Sequence, residues 1–375
     1  MAHIIYADHA ATTQLDTEAL AAMMPYLTDV YGNPSAPYTA ALTPKKALQQ
    51  ARQTIAACIG ADADEIFFTS GGTEANNWAV KGVAFAGDLP TTIVTSTIEH
   101  HSVLAPCAAL RRLGCHVTDL PATADGIVTA TALESHLPQG ARLVSVMLAN
   151  NELGTIQPVS ELAAVAHRHG ALIHTDAVTA MGHMPLDVKA LDVDVLSASA
   201  HKFGGPKGIG FLYVRRGTPI APLLDGGAQE RGLRAGTENV AAIVGMAVAL
   251  KNHATHMEQR CAHLSHLTAQ FLNGLRAAGI TYHRNGNDHT LPGLMSLTFS
   301  SIEAEVLLHR LDLLGITVSA GAACNGTATT TSHVLQAIGL SESAAACTIR
   351  VSFSYTNTEE DVSAFLSALQ TILDK

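Results

Sequence analysis

The run Ile66-Phe67-Phe68-Thr69, followed by Ser70-Gly71-Gly72-Thr73 and then by a helical pattern from Glu74 to Ala86, decides the fold. β-Favouring residues pass through a glycine turn straight into a helix, which is the repeating half of a parallel sheet joined by crossover helices. The alternation continues on either side. Upstream, Ala47, Leu48, Ala51 and Ile55 recur at helical spacing. Downstream, Ile93 to Ser96, His116 to Leu120, Leu143 to Leu148, Leu172 to Thr175, Val193 to Leu196 and Gly210 to Val214 are the further strand candidates, with helices between them. The expectation is an α/β large domain on a mostly parallel, seven-stranded sheet.

The chain has 375 residues, long enough for two packed units. After an apolar helix ending near Leu250 the texture changes. Leu264, Leu267, Phe271 and Leu275 mark a long amphipathic helix, short strands and loops follow, and Val362, Phe365, Leu366, Leu369 and Leu373 mark a last helix. A boundary is expected near residue 255, with a smaller α+β unit beyond it.

With 47% hydrophobic and 14% charged residues, the composition excludes a disordered chain. A formal charge of −10 gives no footprint for nucleic acid. The longest apolar run, Val240 to Leu250, falls short of the ~20 residues of a membrane span, and Met1 to Asp8 lacks a basic leader, so a cytoplasmic protein is expected. The six cysteines are dispersed without a C-x-x-C pair. His253/His256 and His263/His266 have near-ligand spacing, but the segment reads as an exposed helix face without a Cys or carboxylate partner, and no metal site is expected.

In open α/β sheets ligands bind beyond the carboxyl ends of the strands, and four strand ends carry reactive residues. Ser70-Gly71-Gly72-Thr73 offers backbone N–H groups and a hydroxyl to a phosphate, or is an ordinary capped turn. His174-Thr175-Asp176 ends an apolar strand in a carboxylate that needs a partner. Ser197-Ala198-Ser199-Ala200-His201-Lys202 leads into Gly204-Gly205-Pro206-Lys207-Gly208 and places a lysine where desolvation makes it a Schiff-base nucleophile. Glu99-His100-His101 supplies an imidazole. Together a phosphate cradle, an acid, a Ser-x-His-Lys and a placed His are what a pyridoxal phosphate site requires.

In order along the chain, Tyr6-Ala7-Asp8-His9-Ala10-Ala11-Thr12-Thr13, Gly32-Asn33-Pro34-Ser35, Ser70-Gly71-Gly72-Thr73-Glu74-Ala75-Asn76-Asn77, Ala149-Asn150-Asn151-Glu152-Leu153-Gly154 and Arg234-Ala235-Gly236-Thr237-Glu238-Asn239 resemble the cysteine desulfurases of the NifS/IscS family. These belong to the class V aminotransferase group of fold-type I pyridoxal 5'-phosphate enzymes. The resemblance implies that Lys202 carries the cofactor, that Asp176 pairs with its pyridinium nitrogen, and that His100 stacks on its ring and assists proton transfer. It implies a phosphate site of Gly72, Thr73, Ser199 and His201, joined by Thr237 from a second subunit, and hence a homodimer. Asn151 and Thr179 would lie toward the phenolic oxygen. Thr348-Ile349-Arg350 resembles the segment whose Arg forks onto the substrate carboxylate, and Asn33 and Asn151 would assist substrate binding. In Ser319-Ala320-Gly321-Ala322-Ala323-Cys324-Asn325-Gly326, Cys324 matches the nucleophile that becomes a persulfide.

The implied reaction converts L-cysteine to L-alanine and leaves the sulfur on Cys324 for an acceptor protein such as an Fe–S scaffold, or for a thiolation pathway. The implied division is a cofactor domain over 15–255 and a small domain of 1–14 and 256–375 that carries the Cys loop and Arg350. The spacing from Cys324 to Ser332-His333-Val334-Leu335 resembles the branch with an extended catalytic loop. Departures touch the substrate end. Thr179 stands where the family has Gln, Tyr38, Ala41 and Leu42 replace a usual His, Gly and Arg, Ala322 replaces Ser in the cysteine motif, and Thr330-Thr331 replaces Glu-Pro. Rival readings are a selenocysteine lyase, another C–S lyase or an aminotransferase of this fold, or a non-catalytic cofactor-binding homologue; product analysis separates them.

Overall fold

The computed structural model describes residues 4–320 and 331–373. Seven strands, β2 (Ile66–Thr69), β3 (Thr92–Ser96), β4 (His116–Leu120), β5 (Leu143–Ser145), β6 (Leu172–Asp176), β7 (Val195–Ser199) and β8 (Gly210–Val214), form one sheet in the spatial order β2-β8-β7-β6-β5-β3-β4. From β7 across to β4 all pairings are parallel, whereas β8 runs antiparallel to both β7 and β2. Helices cover both faces, and the strand side chains divide accordingly. Phe67, Ile93, Leu143, Val195 and Leu212 pack with Trp78, Val83, Val103 and Leu110 of the helices Gly72–Phe85 and His101–Arg112. Their neighbours Phe68, Val94, Val144, Leu196 and Phe211 pack on the other face with Ile55, Leu162 and Met246.

Two strands differ from the sequence reading by more than one residue. β5 ends at Ser145 rather than Leu148: Val146 and Leu148 still donate to the carbonyls of His174 and Asp176 at 3.1 and 2.9 Å, but β3 on the other side has turned away. β7 starts at Val195 and continues to Ser199, because small residues there pair with Gly210, Phe211 and Leu212, while Asp194 turns its carboxylate to the Ile173 N–H at 2.9 Å. His253 also departs from expectation. It lies near the end of the apolar helix Val240–Thr255, is buried, and its Nδ1 lies 2.9 Å from the Gly182 carbonyl, because it projects from the side of that helix that faces the core.

The second sheet combines β9 (His283–Asn285), β10 (Leu294–Thr298), β12 (Ser319–Ala320) and β13 (Thr348–Ser352) in the antiparallel order β12-β13-β10-β9. The helices Met257–Ala277, Ala304–Leu313 and Glu359–Leu373 cover it, with Phe271 against Phe365 and Phe353 at ring separations of 4.9 and 5.6 Å. Near the chain's start, β1 (Ile5–Tyr6) pairs in parallel with β11 (Ile316–Thr317). The chain then stays beside β13: His9 N–H donates to the Ser352 carbonyl at 3.2 Å and Ala10 N–H to Ser352 Oγ at 2.9 Å. It next crosses to the large sheet, where Thr13 N–H reaches the His201 carbonyl at 2.9 Å. Residues 7–13 therefore bridge the two sheets directly over the end of β7.

Candidate active site

Chain order reverses at β3, which has β4 on one side and β5 on the other; this is where an open α/β sheet forms a crevice at its strand ends. A cavity of about 570 Å³ opens along the carboxyl ends of the strands from there across β6 and β7 to β2, lined by Gly71, Gly72, Thr73, Asn76, His100, Ser102, Asn151, Asp176, Thr179, Ser199, His201, Lys202 and Arg350 among others. Ten residues singled out from the sequence thus share one cavity: Gly72, Thr73, His100, Asn151, Asp176, Thr179, Ser199, His201, Lys202 and Arg350.

Asp176 closes β6 and is buried. Its Oδ2 accepts from Asn76 Nδ2 at 2.6 Å and its Oδ1 from the Val178 N–H at 2.9 Å. Burial pushes its pKa up, opposed by the Val178 N–H, His100, Asn76 and Lys202. Each oxygen keeps a lone pair, so a cationic N–H facing it would satisfy the carboxylate and hold it ionised. Asn76 also donates to Ser102 Oγ at 2.7 Å, and that hydroxyl lies 2.7 Å from His100 Nδ1. The Ser102 N–H donates to the same nitrogen at 3.1 Å, making His100 the N-cap of its helix. A ring nitrogen that accepts a backbone N–H carries no proton, so the neutral imidazole bears its proton on Nε2. Burial lowers the His100 pKa, with Asp176 opposing and Lys202 and His101 adding to the shift.

Lys202 follows β7 in a single turn, Ala200–Lys202. Its Nζ donates to the Ala10 carbonyl, and to that of Ala11 at 3.1 Å, so the bridging segment fixes the amine in the crevice. His201 Nδ1 lies 3.2 Å from Thr12 Oγ1; burial, with Lys202 and Lys207, pushes its pKa down to about 4, leaving the ring neutral at pH 7.

The glycine turn fits a phosphate. The N–H groups that start the helix Gly72–Phe85 have no intrahelical acceptors, and the helix dipole favours an anion there. Glycine is required: Gly71 sits at φ 145°, and a Cβ on Gly72 would meet Val178 Cγ2 at 2.6 Å. Below the turn, a Cβ on Gly210 would lie 2.4 Å from the Ala198 carbonyl oxygen and 2.8 Å from Gly71 Cα, backbone atoms that cannot step aside. Gly210→Ala is therefore expected to cost about 1–3 kcal/mol of stability, read by denaturant unfolding, and to lower the cofactor absorbance per protein chain. Glu74 braces the turn, accepting from the Ser70 N–H at 2.7 Å and from Arg234 at 2.8 and 3.0 Å. Against the upward push of burial, Arg234 and Ser70 hold its pKa below the ordinary range.

At the opposite wall Arg350, on β13, is buried, and its guanidinium donates from Nη2 to Asp8 Oδ1 at 2.7 Å and from Nη1 to the Asn151 carbonyl at 3.0 Å. Its buried Nε has no acceptor among the described residues.

Asn33 and Thr237 do not join the cavity. Asn33 is exposed and its Oδ1 accepts from the Ser35 N–H at 3.0 Å, while Thr237 is exposed on its own chain. Of the cysteine motif only Ser319 and Ala320 are described; Cys324 lies outside the described residues. The sequence reading assigned nothing to Asn76, Ser102 or Asp8. Their signals were present: an Asn pair inside an apolar helix, a Ser two residues after His100, and an Asp in the first motif.

The chain matches the aminotransferase class-V family model over residues 5–365. It is similar to the cysteine desulfurase IscS of Dictyoglomus turgidum, 44% identical over 375 residues that span 99% of this chain and 95% of that protein. The IscS cysteine desulfurase of Methanosarcina thermophila is likewise 44% identical, over 99% of this chain and 92% of its own. A solved NifS-like protein superposes with a TM-score of 0.93 at 37% identity, covering 99% of this chain and 100% of that one. A structure described as SspA in complex with cysteine gives 0.84 at 36% identity, over 94% and 100% of the two chains.

Proposed function

The chain belongs to the aminotransferase class-V family, and from that premise we propose that it is a pyridoxal 5'-phosphate-dependent cysteine desulfurase. The observation that carries this reading is the meeting of Lys202, Asp176 and His100 with the buried Arg350 on one cavity. The residues fit the cofactor: Lys202 would hold it covalently, Asp176 would face its ring nitrogen, and Thr73, Ser199, His201 and the helix-start N–H groups would take its phosphate. Thr237 of a second copy would complete that site, which makes the active unit a homodimer. When bound, the cofactor supplies an electron sink that acidifies the Cα–H of an amino acid held beside it.

The chain's own groups do the rest. Arg350, oriented by Asp8 and the Asn151 carbonyl, keeps a second N–H on each of Nη1 and Nη2 for the substrate carboxylate. Lys202 Nζ takes the α-proton, and His100, with its proton on Nε2, moves a second one. Cys324 thiolate then attacks the substrate sulfur: an S–S bond forms, the C–S bond breaks, and the carbon gains a proton. L-cysteine and a thiol become L-alanine and a persulfide, so atoms and electrons balance. The persulfide sulfur passes to an acceptor such as an Fe–S scaffold protein. Free thiols at Cys58, Cys107, Cys115, Cys261 and Cys347 fit a reducing cytoplasm. The test is Cys324→Ser. The variant is expected to bind L-cysteine with the wild-type change in visible absorbance yet to release neither alanine nor sulfide, assayed together. Normal sulfide production by the variant sinks the reading, and pyruvate with ammonia in place of alanine assigns the chain to β-elimination.

A further inference from the structure

We propose that Ser332 and His333 are positioning residues for Cys324, forming a two-point clasp that ties the chain just beyond the cysteine's segment to both walls of the active site. The inference rests on reading Cys324 as the sulfur-accepting thiol; in sequence that cysteine stands eight positions before Ser332. Ser332 Oγ donates to Oε2 of the buried Glu152 at 2.6 Å. The same oxygen accepts from the N–H groups of Val334 and Leu335, each at 3.2 Å, and so caps the helix His333–Ala337. A hydroxyl has one proton and two acceptor positions; here all three are used, which leaves Ser332 a single placement. Beside it, His333 Nε2 donates to the Glu99 carbonyl at 2.9 Å, and its ring lies 4.7 Å from that of His101.

The landing points give the clasp its meaning. Glu99 and His101 flank His100, and Glu152 follows Asn151, whose carbonyl accepts from Arg350. The clasp therefore holds the same two loops that place the proton-moving imidazole and the carboxylate-binding guanidinium. Packing supports it. Although β12 and β13 on either side of this stretch both belong to the small sheet, Val334, Leu335 and Ile338 are buried in the core of the large one. Residues 332–338 thus pack away from the small sheet and dock where the chemistry is, and in sequence Cys324 precedes that docked end by eight positions.

The test uses holoprotein with Ser332→Ala, His333→Phe and the conservative Ser332→Thr. The first readout needs no turnover: alkylation by iodoacetamide, followed at each cysteine by peptide mass mapping. Cys324 labelling is expected to rise about threefold or more in Ser332→Ala and His333→Phe and to return to the wild-type rate in Ser332→Thr, with Cys58 and Cys261 unchanged. The second is a single turnover with L-cysteine, in which persulfide formation on Cys324 slows about tenfold or more while affinity for L-alanine is kept. Unchanged Cys324 labelling in both disrupting variants overturns the proposal. So do parallel rises at Cys58 and Cys261, or equal losses of alanine affinity and persulfide rate, which mark general loosening. If the wild type forms no persulfide while Cys324 labelling still responds, the clasp stands and the sulfur-transfer reading fails.

Discussion

Replacing Lys202 by alanine should lower turnover of L-cysteine by about 10⁴-fold or more, because one amine serves as both the covalent anchor and the proton acceptor. The structure makes its neighbours poor substitutes. Nζ is held between the Ala10 and Ala11 carbonyls by a segment that is itself bonded to the His201 carbonyl and to Ser352. Among the described residues Lys207 is the other lysine that lines the cavity, so the assignment can be checked chemically as well as kinetically. Borohydride reduction of the wild-type holoenzyme followed by peptide mapping should put the pyridoxyl label on Lys202; a label on Lys207 refutes the role. Lys202→Arg should be no better than alanine, since a guanidinium stays protonated and cannot attack a carbonyl. Unfolding midpoints of the variants should be measured alongside, because loss of the two carbonyl contacts loosens the bridge between the sheets.

The strand-to-turn junctions were legible in the sequence because β2, β3, β6 and β7 each carry an apolar pair or triplet at or near their start, and a reactive residue after such a start stands out. Asp176, Lys202, His100 and the glycine turn were found that way, and all line the cavity. Strand limits were less legible where apolar character and ladder pairing part company, as at Val193, which is apolar and buried but precedes β7, and at Ala198 and Ser199, which are small yet paired. Residues that act by holding others were not legible at all. Asp8 lies 342 positions from Arg350, and Asn76 is 100 positions from Asp176, so no local pattern reports those contacts. His253 was misread for a related reason: its helix end does have an exposed side, carrying Lys251, Ala254 and Thr255, but His253 projects from the other side into the core.

Arg350→Ala should lower kcat/KM for L-cysteine by roughly 10²- to 10³-fold, the cost of losing a buried charge-assisted pair worth about 3–4 kcal/mol at about 1.4 kcal/mol per factor of ten. The effect should fall mainly on KM, since the carboxylate is bound before and after the chemical step. The guanidinium divides its donors: one N–H of Nη2 goes to Asp8, one of Nη1 to the Asn151 carbonyl, and the second N–H on each remains for a ligand. An ammonium cannot span those directions at once, so Arg350→Lys should recover less than about tenfold. The pair also contributes to folding. With its side chains only 5% and 14% exposed, removing Arg350 leaves the Asp8 carboxylate buried without its counter-charge, and stability should fall as well. That second loss is separable. Asp8→Asn in the Arg350→Ala background removes the stranded charge and should restore most of the unfolding free energy while kcat/KM stays low. Recovery of activity together with stability would show that Arg350 only supports the fold, and an unchanged kcat/KM in Arg350→Ala would exclude it from substrate binding.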